Sequence, residues 1–220
     1  MRYFNRDGRV ELYESTVNLA LVLRIAERLR RIGYGVLLTR DADYALNAER
    51  VDVNNSGDVD YVDEVQARVD LVNDESADLL LSIHQNGFYQ SDGTQDRKTG
   101  GTVTFYCADR PFGGDSYRFA SLVQEEVVQA LASIGYSTRD RGIMDDIVLK
   151  EEGEPGDHLI ILGPKTERIV RPCAVPGVLS ETLFLTADQE ATLLRQDHVL
   201  DALADAYVAA IDGYFSDADS

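Results

Sequence analysis

Only two cysteines occur in 220 residues, Cys107 and Cys173, and they form no C-x-x-C pair. A disulfide framework is excluded. The two thiols are either one bridge between neighbouring strands or two separate buried side chains. Lysine is scarce too, at 3 residues, and Lys+Arg total 21 against 39 Asp+Glu, a formal charge of −18. No basic cluster exists to grip a phosphate backbone, which excludes non-specific nucleic-acid binding. The same sign of charge argues against docking on an anionic membrane surface. No stretch of 18 apolar residues is present, so nothing is expected to span a membrane. No basic region followed by an apolar one marks a secretory signal.

What is present is a globular composition, 44% apolar. Asp supplies 25 of the acids, which suggests a strongly hydrated surface in a salty or calcium-containing medium, although a GC-rich genome produces the same bias. Leu19, Leu23, Ala26 and Ile32, with Leu12 and Val22 beside them, recur at helical spacing from about Glu14 to Arg31, and Gly33 stops that helix. Gly35 to Thr39 reads as a short buried strand, Val62 to Asn73 as a helix, and the apolar run Asp78 to His84 as a central strand. Thr102 to Cys107 predicts another strand and Ser116 to Ile134 a long amphipathic helix. After a loop at 151–156 come short strands at Leu159 to Leu162 and Gly177 to Leu183, then helices from about Asp188 and from Asp197 to Tyr214. Such alternation predicts one α/β domain, a mostly parallel twisted sheet with helices on both faces.

In such sheets functional groups gather at the carboxyl ends of the strands. His84 closes one strand, Glu181 lies within Val178 to Phe184, and Glu14 opens the first helix. A histidine there is commonly a hydrogen-bonded cleft residue, and Glu14 alone is an acid favoured by the helix dipole. Glu181 is flanked by apolar residues on both sides, so it must be desolvated, paired or coordinating.

The run Glu14-x-x-x-Asn18-Leu19, then Leu38-Thr39-Arg40, then Ser82-Ile83-His84-x-Asn86-Gly87, then Pro176-x-Val178-Leu179-x-Glu181-x-x-Phe184-Leu185 with Glu190 beyond, resembles the zinc-dependent N-acetylmuramoyl-L-alanine amidases. The resemblance runs through nearly the whole chain, in order. It implies a peptidoglycan hydrolase that cuts the amide between N-acetylmuramic acid and L-alanine of the stem peptide, working outside the cytoplasm. Residue by residue it makes Glu14 and His84 zinc ligands and Glu181 the catalytic glutamate, which takes the proton of the attacking water and hands it to the departing amine; Asn86 and Arg40 match without a required chemical role. The family's first zinc ligand, a histidine about fifteen residues before the position of Glu14, has no counterpart from Met1 onward, and neither His158 nor His198 falls in its place. The expectation is therefore a catalytic domain over 1–220 that lacks its first strand and first ligand. The alternative is an inactive wall-binding or calcium-stabilised interaction domain on the same fold.

A second metal signal is independent of that family. Asp52-Val-Asn54-Asn-Ser56-Gly57-Asp58-Val59-Asp60-Tyr-Val-Asp63 fits a twelve-residue calcium loop, with oxygen donors at positions 1, 3 and 5, glycine at 6, an aliphatic at 8 and an acid at 12. Asp52, Asn54, Ser56, Asp58 and Asp63 are the candidate Ca2+ ligands in an insertion at about 52–63, against an ordinary Asp-rich turn.

Overall fold

The computed structural model describes residues 1–149 and 157–216. Its elements are β1 (Arg2–Phe4), β2 (Val10–Tyr13), α1 (Glu14–Arg31), α2 (Tyr61–Asp74), β3 (Leu80–Asn86), β4 (Thr102–Tyr106), α3 (Gly113–Ser133), β5 (Asp140–Asp145), a 3-10 turn Asp146–Leu149, β6 (Gly177–Phe184), α4 (Asp188–Leu193) and α5 (Asp197–Ser216). The main sheet has the order β3-β6-β4-β5; β3 and β6 are parallel, as are β4 and β5, while β4 runs antiparallel to β6. A mixed, mostly parallel sheet of one α/β domain results, and β1 and β2 form a separate antiparallel hairpin.

Helices cover both faces because the central strands are apolar on both. One face packs Ile83, Val178 and Leu183 against α1, α3 and α5 through Leu21, Ile25, Phe119, Val123, Leu203 and Tyr207. The opposite face packs Leu80, Val103, Phe105 and Leu179 against Val69 and Val72 of α2 and against Ile161 and Leu162. Both cysteines are buried free thiols on this second side, which settles their pairing.

Several expectations need correction. The buried stripe of α1 is Val17, Leu21, Ile25, Ala26 and Leu29, whereas Leu23 and Ile32 are exposed. The stripe follows i, i+4 spacing from Val17 because α1 lies against α5, and Leu23 falls on its far side. Residues 35–39 alternate inward and outward but form no ladder. Alternation reports burial, and a strand also needs a partner. Leu159 to Leu162 is a hydrogen-bonded turn rather than a strand, with Leu162 N donating to Leu159 O at 3.0 Å; Ile160, Ile161 and Leu162 are buried without extension. The loop read at 151–156 lies outside the described residues. Strands β1, β2 and β5 were not anticipated, since short polar edge strands lack an apolar period.

Helix α5 is fixed to the sheet by the fully buried Tyr207, whose hydroxyl lies 2.7 Å from both Ser180 Oγ and Thr182 Oγ1 of β6. Tyr207→Phe keeps the ring and leaves the two strand hydroxyls with one partner fewer. It should lower unfolding stability by about 1–2 kcal/mol in urea denaturation. An unchanged midpoint would mean that the hydroxyl contributes nothing to the α5–β6 contact.

Candidate active site

The parallel register sets His84 directly beside Glu181. Strand neighbours lie ~4.8 Å apart and share a face, so the imidazole and the carboxyl emerge side by side. Glu14 arrives from a different element. As the first residue of α1 it follows β2 without a side-chain cap, and its carboxylate takes the favourable place at the helix N-terminus.

Glu14 Oε1 lies 2.9 Å from His84 Nδ1 and accepts from Gln85 N at 3.3 Å and Asn18 Nδ2 at 3.4 Å. Its Oε2 accepts from the Met1 ammonium at 3.0 Å. Gln85 in turn donates to Asn18 Oδ1 at 3.2 Å, closing a small network that holds Glu14 in place. Glu181 contrasts with this. Its Oε2 is buried and has no hydrogen-bond partner, a state shared among the described residues only by Gln85 Oε1.

These environments drive the acids apart. Burial alone would raise Glu14, but the His84 hydrogen bond and charge, together with the Met1 ammonium, outweigh it and hold the carboxyl at about 2. Burial dominates at Glu181 and pushes it up to about 7, with Glu14 adding repulsion and His84 opposing. Burial acts downward on His84, yet the Glu14 hydrogen bond and the charges of Glu181 and Glu14 raise it above its ordinary value, against Arg68 of α2.

The donor types at Glu14 and His84, one carboxylate oxygen and one imidazole nitrogen, are those zinc accepts. No second histidine joins them, because His158 is engaged by Asp146 and His198 is exposed on α5. Arg40 is not at this centre; its guanidinium donates to Ser15 O. Asn86 ends β3, where its carbonyl accepts from Leu185 N and its side chain from Gly87 N, both at 2.7 Å. The network partners Asn18 and Gln85 carried a faint signal in the sequence, namely polar residues on inward positions beside Glu14 and His84.

In the 52–63 loop, Asp52 accepts from Ser56 N at 3.0 Å and Gly57 N at 2.9 Å, Asn54 Oδ1 accepts from Ser56 N at 2.9 Å, and Ser56 Oγ donates to Asp58 O at 3.0 Å. Gly57 adopts φ +93°, the left-handed conformation that the turn requires. Asp63 is buried and accepts from Val53 N, Asn54 N and Asp60 N, so it doubles as the third residue of the capping box that begins α2. Asp52, Asn54, Ser56 and Asp63 thus share one closed turn. Asp52, Asp58 and Asp63 do not bring three carboxylates within 4.8 Å of one another; among the described residues that grouping is met by Cys107, Asp146 and His158.

A family model described as N-acetylmuramoyl-L-alanine amidase matches residues 5–213. The Bacillus subtilis protein YqiI is 27% identical over 204 residues, spanning 93% of this chain and 75% of that protein. The germination-specific N-acetylmuramoyl-L-alanine amidase of the same organism is 25% identical over 211 residues, spanning 94% and 73%. Among solved structures, the CwlD amidase from Clostridioides difficile, in complex with the GerS lipoprotein, superposes with a TM-score of 0.68 at 27% identity over 97% of this chain and 90% of that one. The catalytic domain of CwlV from Bacillus (Paenibacillus) polymyxa shares the fold at a TM-score of 0.63 and 22% identity, over 94% and 87% of the two chains.

The shift at Glu181 has a signed consequence for the metal-free protein. Its folded pKa of about 7 lies above the unfolded value of 4.5, so its contribution is fully present below about pH 4.5 and lost as pH rises through about 7. Glu181→Gln stays neutral throughout. It should match the wild type near pH 4 and become the more stable of the two above neutrality, by about 1–3 kcal/mol. Urea titrations of chelator-treated protein across that range check this, and a gap independent of pH would refute it.

Proposed function

Because the chain belongs to the N-acetylmuramoyl-L-alanine amidase family, we propose that it hydrolyses the amide joining N-acetylmuramic acid to L-alanine of the peptidoglycan stem peptide, with Glu181 as general base and acid. The observation that carries the reading is the buried, unpartnered Oε2 of Glu181 beside the Glu14–His84 pair. A carboxylate with one oxygen buried and without a protein donor is a stronger proton acceptor than a solvated one, and a pKa near the working pH suits both halves of a proton relay. Glu181 takes the proton of the attacking water and passes it to the departing amine of L-alanine.

Glu14 and His84 would hold zinc together with a further protein donor, and zinc would supply carbonyl polarisation and an acidified water. Asn18 and the Gln85 backbone amide orient the Glu14 carboxylate toward His84. His84, with 44% of its side chain exposed, faces solvent at the end of β3, so the centre is an open surface accessible to a polymer. The grooves lined by Gln124 and Ile143 and by Tyr136 and Arg141 lie apart from it. An extracytoplasmic location follows from the substrate; no helix among the described residues is long and apolar enough to cross a membrane.

Zinc-loaded protein should release new amino termini on L-alanine from muropeptides. Glu181→Gln should retain zinc content and remain folded while losing at least 10²–10⁴-fold in rate, the usual value of a positioned acid–base group. Retained turnover in that variant would refute the role of Glu181. A zinc-loaded wild type that sediments with peptidoglycan yet releases no L-alanine termini would favour the wall-binding reading.

The 52–63 loop is proposed to take calcium at Asp52, Asn54, Ser56, Asp58 and Asp63, bracing the entry to α2. Binding to the native state should stabilise the protein by roughly 2.7 kcal/mol at a hundredfold excess over Kd. The melting temperature should rise with calcium in EGTA-treated protein and fail to rise in Asp52→Ala. Indifference of the wild type to calcium would reduce the loop to an acidic turn.

A further inference from the structure

A second group of ligand-type side chains lies away from Glu14 and His84. Cys107 follows the end of β4, Asp146 opens the 3-10 turn after β5, and His158 precedes the turn at Leu159. Cys107 Sγ lies 3.5 Å from His158 Nδ1, and Asp146 Oδ1 lies 2.8 Å from the same nitrogen. One donor atom from each residue falls within 4.8 Å of the other two. All are deeply placed: Cys107 is 2% exposed, and the side chains of His158 and Asp146 are 8% and 0% exposed.

Two chemistries could use a buried Cys, His and Asp. In a nucleophilic triad the thiol and the carboxylate engage opposite nitrogens of the ring, so that a proton passes through the imidazole. Here the hydrogen-bonded carboxylate, Asp146, meets the same nitrogen as the thiol, and Asp109 stands 3.6 Å from the opposite one, beyond hydrogen-bond distance, so no such relay is assembled. Burial, with the charge of Asp146 adding, pushes the Cys107 thiol up to about 12, so it is no nucleophile in this state.

Convergence of sulfur, nitrogen and oxygen on one point is instead the arrangement of a metal centre. Zn–S of ~2.3 Å and Zn–N of ~2.0–2.1 Å at a tetrahedral angle separate S from N by about 3.5 Å, the spacing found between Cys107 and His158. The Asp146 oxygen needs to withdraw by about half an ångström to reach the corresponding N···O separation. The surroundings fit as well. Asp146 Oδ2 accepts from Leu159 N at 3.1 Å, which orients the carboxylate. His158 Nε2 lies 3.6 Å from Asp109 Oδ2, the carboxylate–histidine contact that commonly stands behind a metal-bound imidazole. Gly163 leaves room for the ring, since a Cβ there would lie 2.3 Å from His158 Cβ.

We propose that Cys107, Asp146 and His158 form a metal site separate from the amidase centre, one that takes a zinc-type divalent cation through Sγ, a carboxylate oxygen and Nδ1. The thiolate and carboxylate neutralise the two charges of the ion. Binding breaks the Cys107 S–H bond, forms the sulfur–metal bond and releases the proton to solvent. The site joins the end of β4, the turn after β5 and the return of the chain at His158, so its role is structural. Strand β4 runs antiparallel to β6 and places Val103, not Cys107, beside Glu181. Cys107 lies four residues beyond Val103, about 13 Å further along at the strand rise.

The proposal does not rest on the amidase reading, and the sulfur ligand makes it testable apart from it. Glu14 and His84 carry no thiolate, so cobalt(II) added to the metal-free protein should give a thiolate-to-cobalt charge-transfer band only through this site. Cys173→Ser should keep the band. Cys107→Ser should abolish it and lower bound zinc by about one equivalent, with Asp146→Asn as a second variant that leaves the thiol intact and weakens zinc binding at least tenfold. Absence of the band in the wild type, or its persistence in Cys107→Ser, would overturn the site.

Discussion

The candidate centre depends on the register of β3 against β6. A slip of one residue would turn every side chain of β3 to the opposite face and remove His84 from Glu181. The register is held by packing on both sides of the sheet and by Gly177, which begins β6 opposite Leu80; a Cβ at Gly177 would lie 2.9 Å from Leu80 Cβ. With His84 on one flank and Val103 on the other, Glu181 is enclosed by strand neighbours. Its desolvation is therefore a product of the sheet itself.

Glu14 needs a second constraint, because it belongs to a helix rather than to the sheet. Arg24 pairs with Asp197 and Asp201 of α5, and Arg28 with Asp201 and Asp205. Such surface pairs contribute about 0–1 kcal/mol each, too little to place a helix. The placement comes from Val17, Leu21, Ile25 and Leu29 in the core, and the ionic row favours one axial setting of α1 on α5. In a chain of charge −18, arginines concentrated on this seam also relieve repulsion among the aspartates of α5.

Sequence periodicity revealed what depends on apolar faces: α1, α2, α3, α5 and the strands β3, β4 and β6. It failed where burial and pairing part company. The 35–39 segment and Leu159 to Leu162 have strand-like composition but no ladder, and the polar β5 has a ladder without that composition. Glu14, His84 and Glu181 were legible only as an ordered set of motifs, since no local rule links a helix start to residues 70 and 167 positions later. Cys107, Asp146 and His158 had no such motif. Their proximity arises because β4 and β5 are parallel neighbours, so the segments that leave them exit at the same edge.

The treatment of other buried carboxylates gives Glu181 its significance. Asp63 is fully buried but accepts from three backbone amides, and Glu190 accepts from the Tyr136 hydroxyl and the amides of Gly101 and Phe184. Asp146 divides its oxygens between His158 and the Leu159 amide. In each case the fold answers the cost of desolvation with donors. At Glu181 one oxygen is left without any. The fold gives donors to those three acids and none to this oxygen, which lies next to an imidazole and a carboxylate whose pKa is shifted the opposite way; a perturbed acid of that kind is the arrangement on which the proposed proton relay rests.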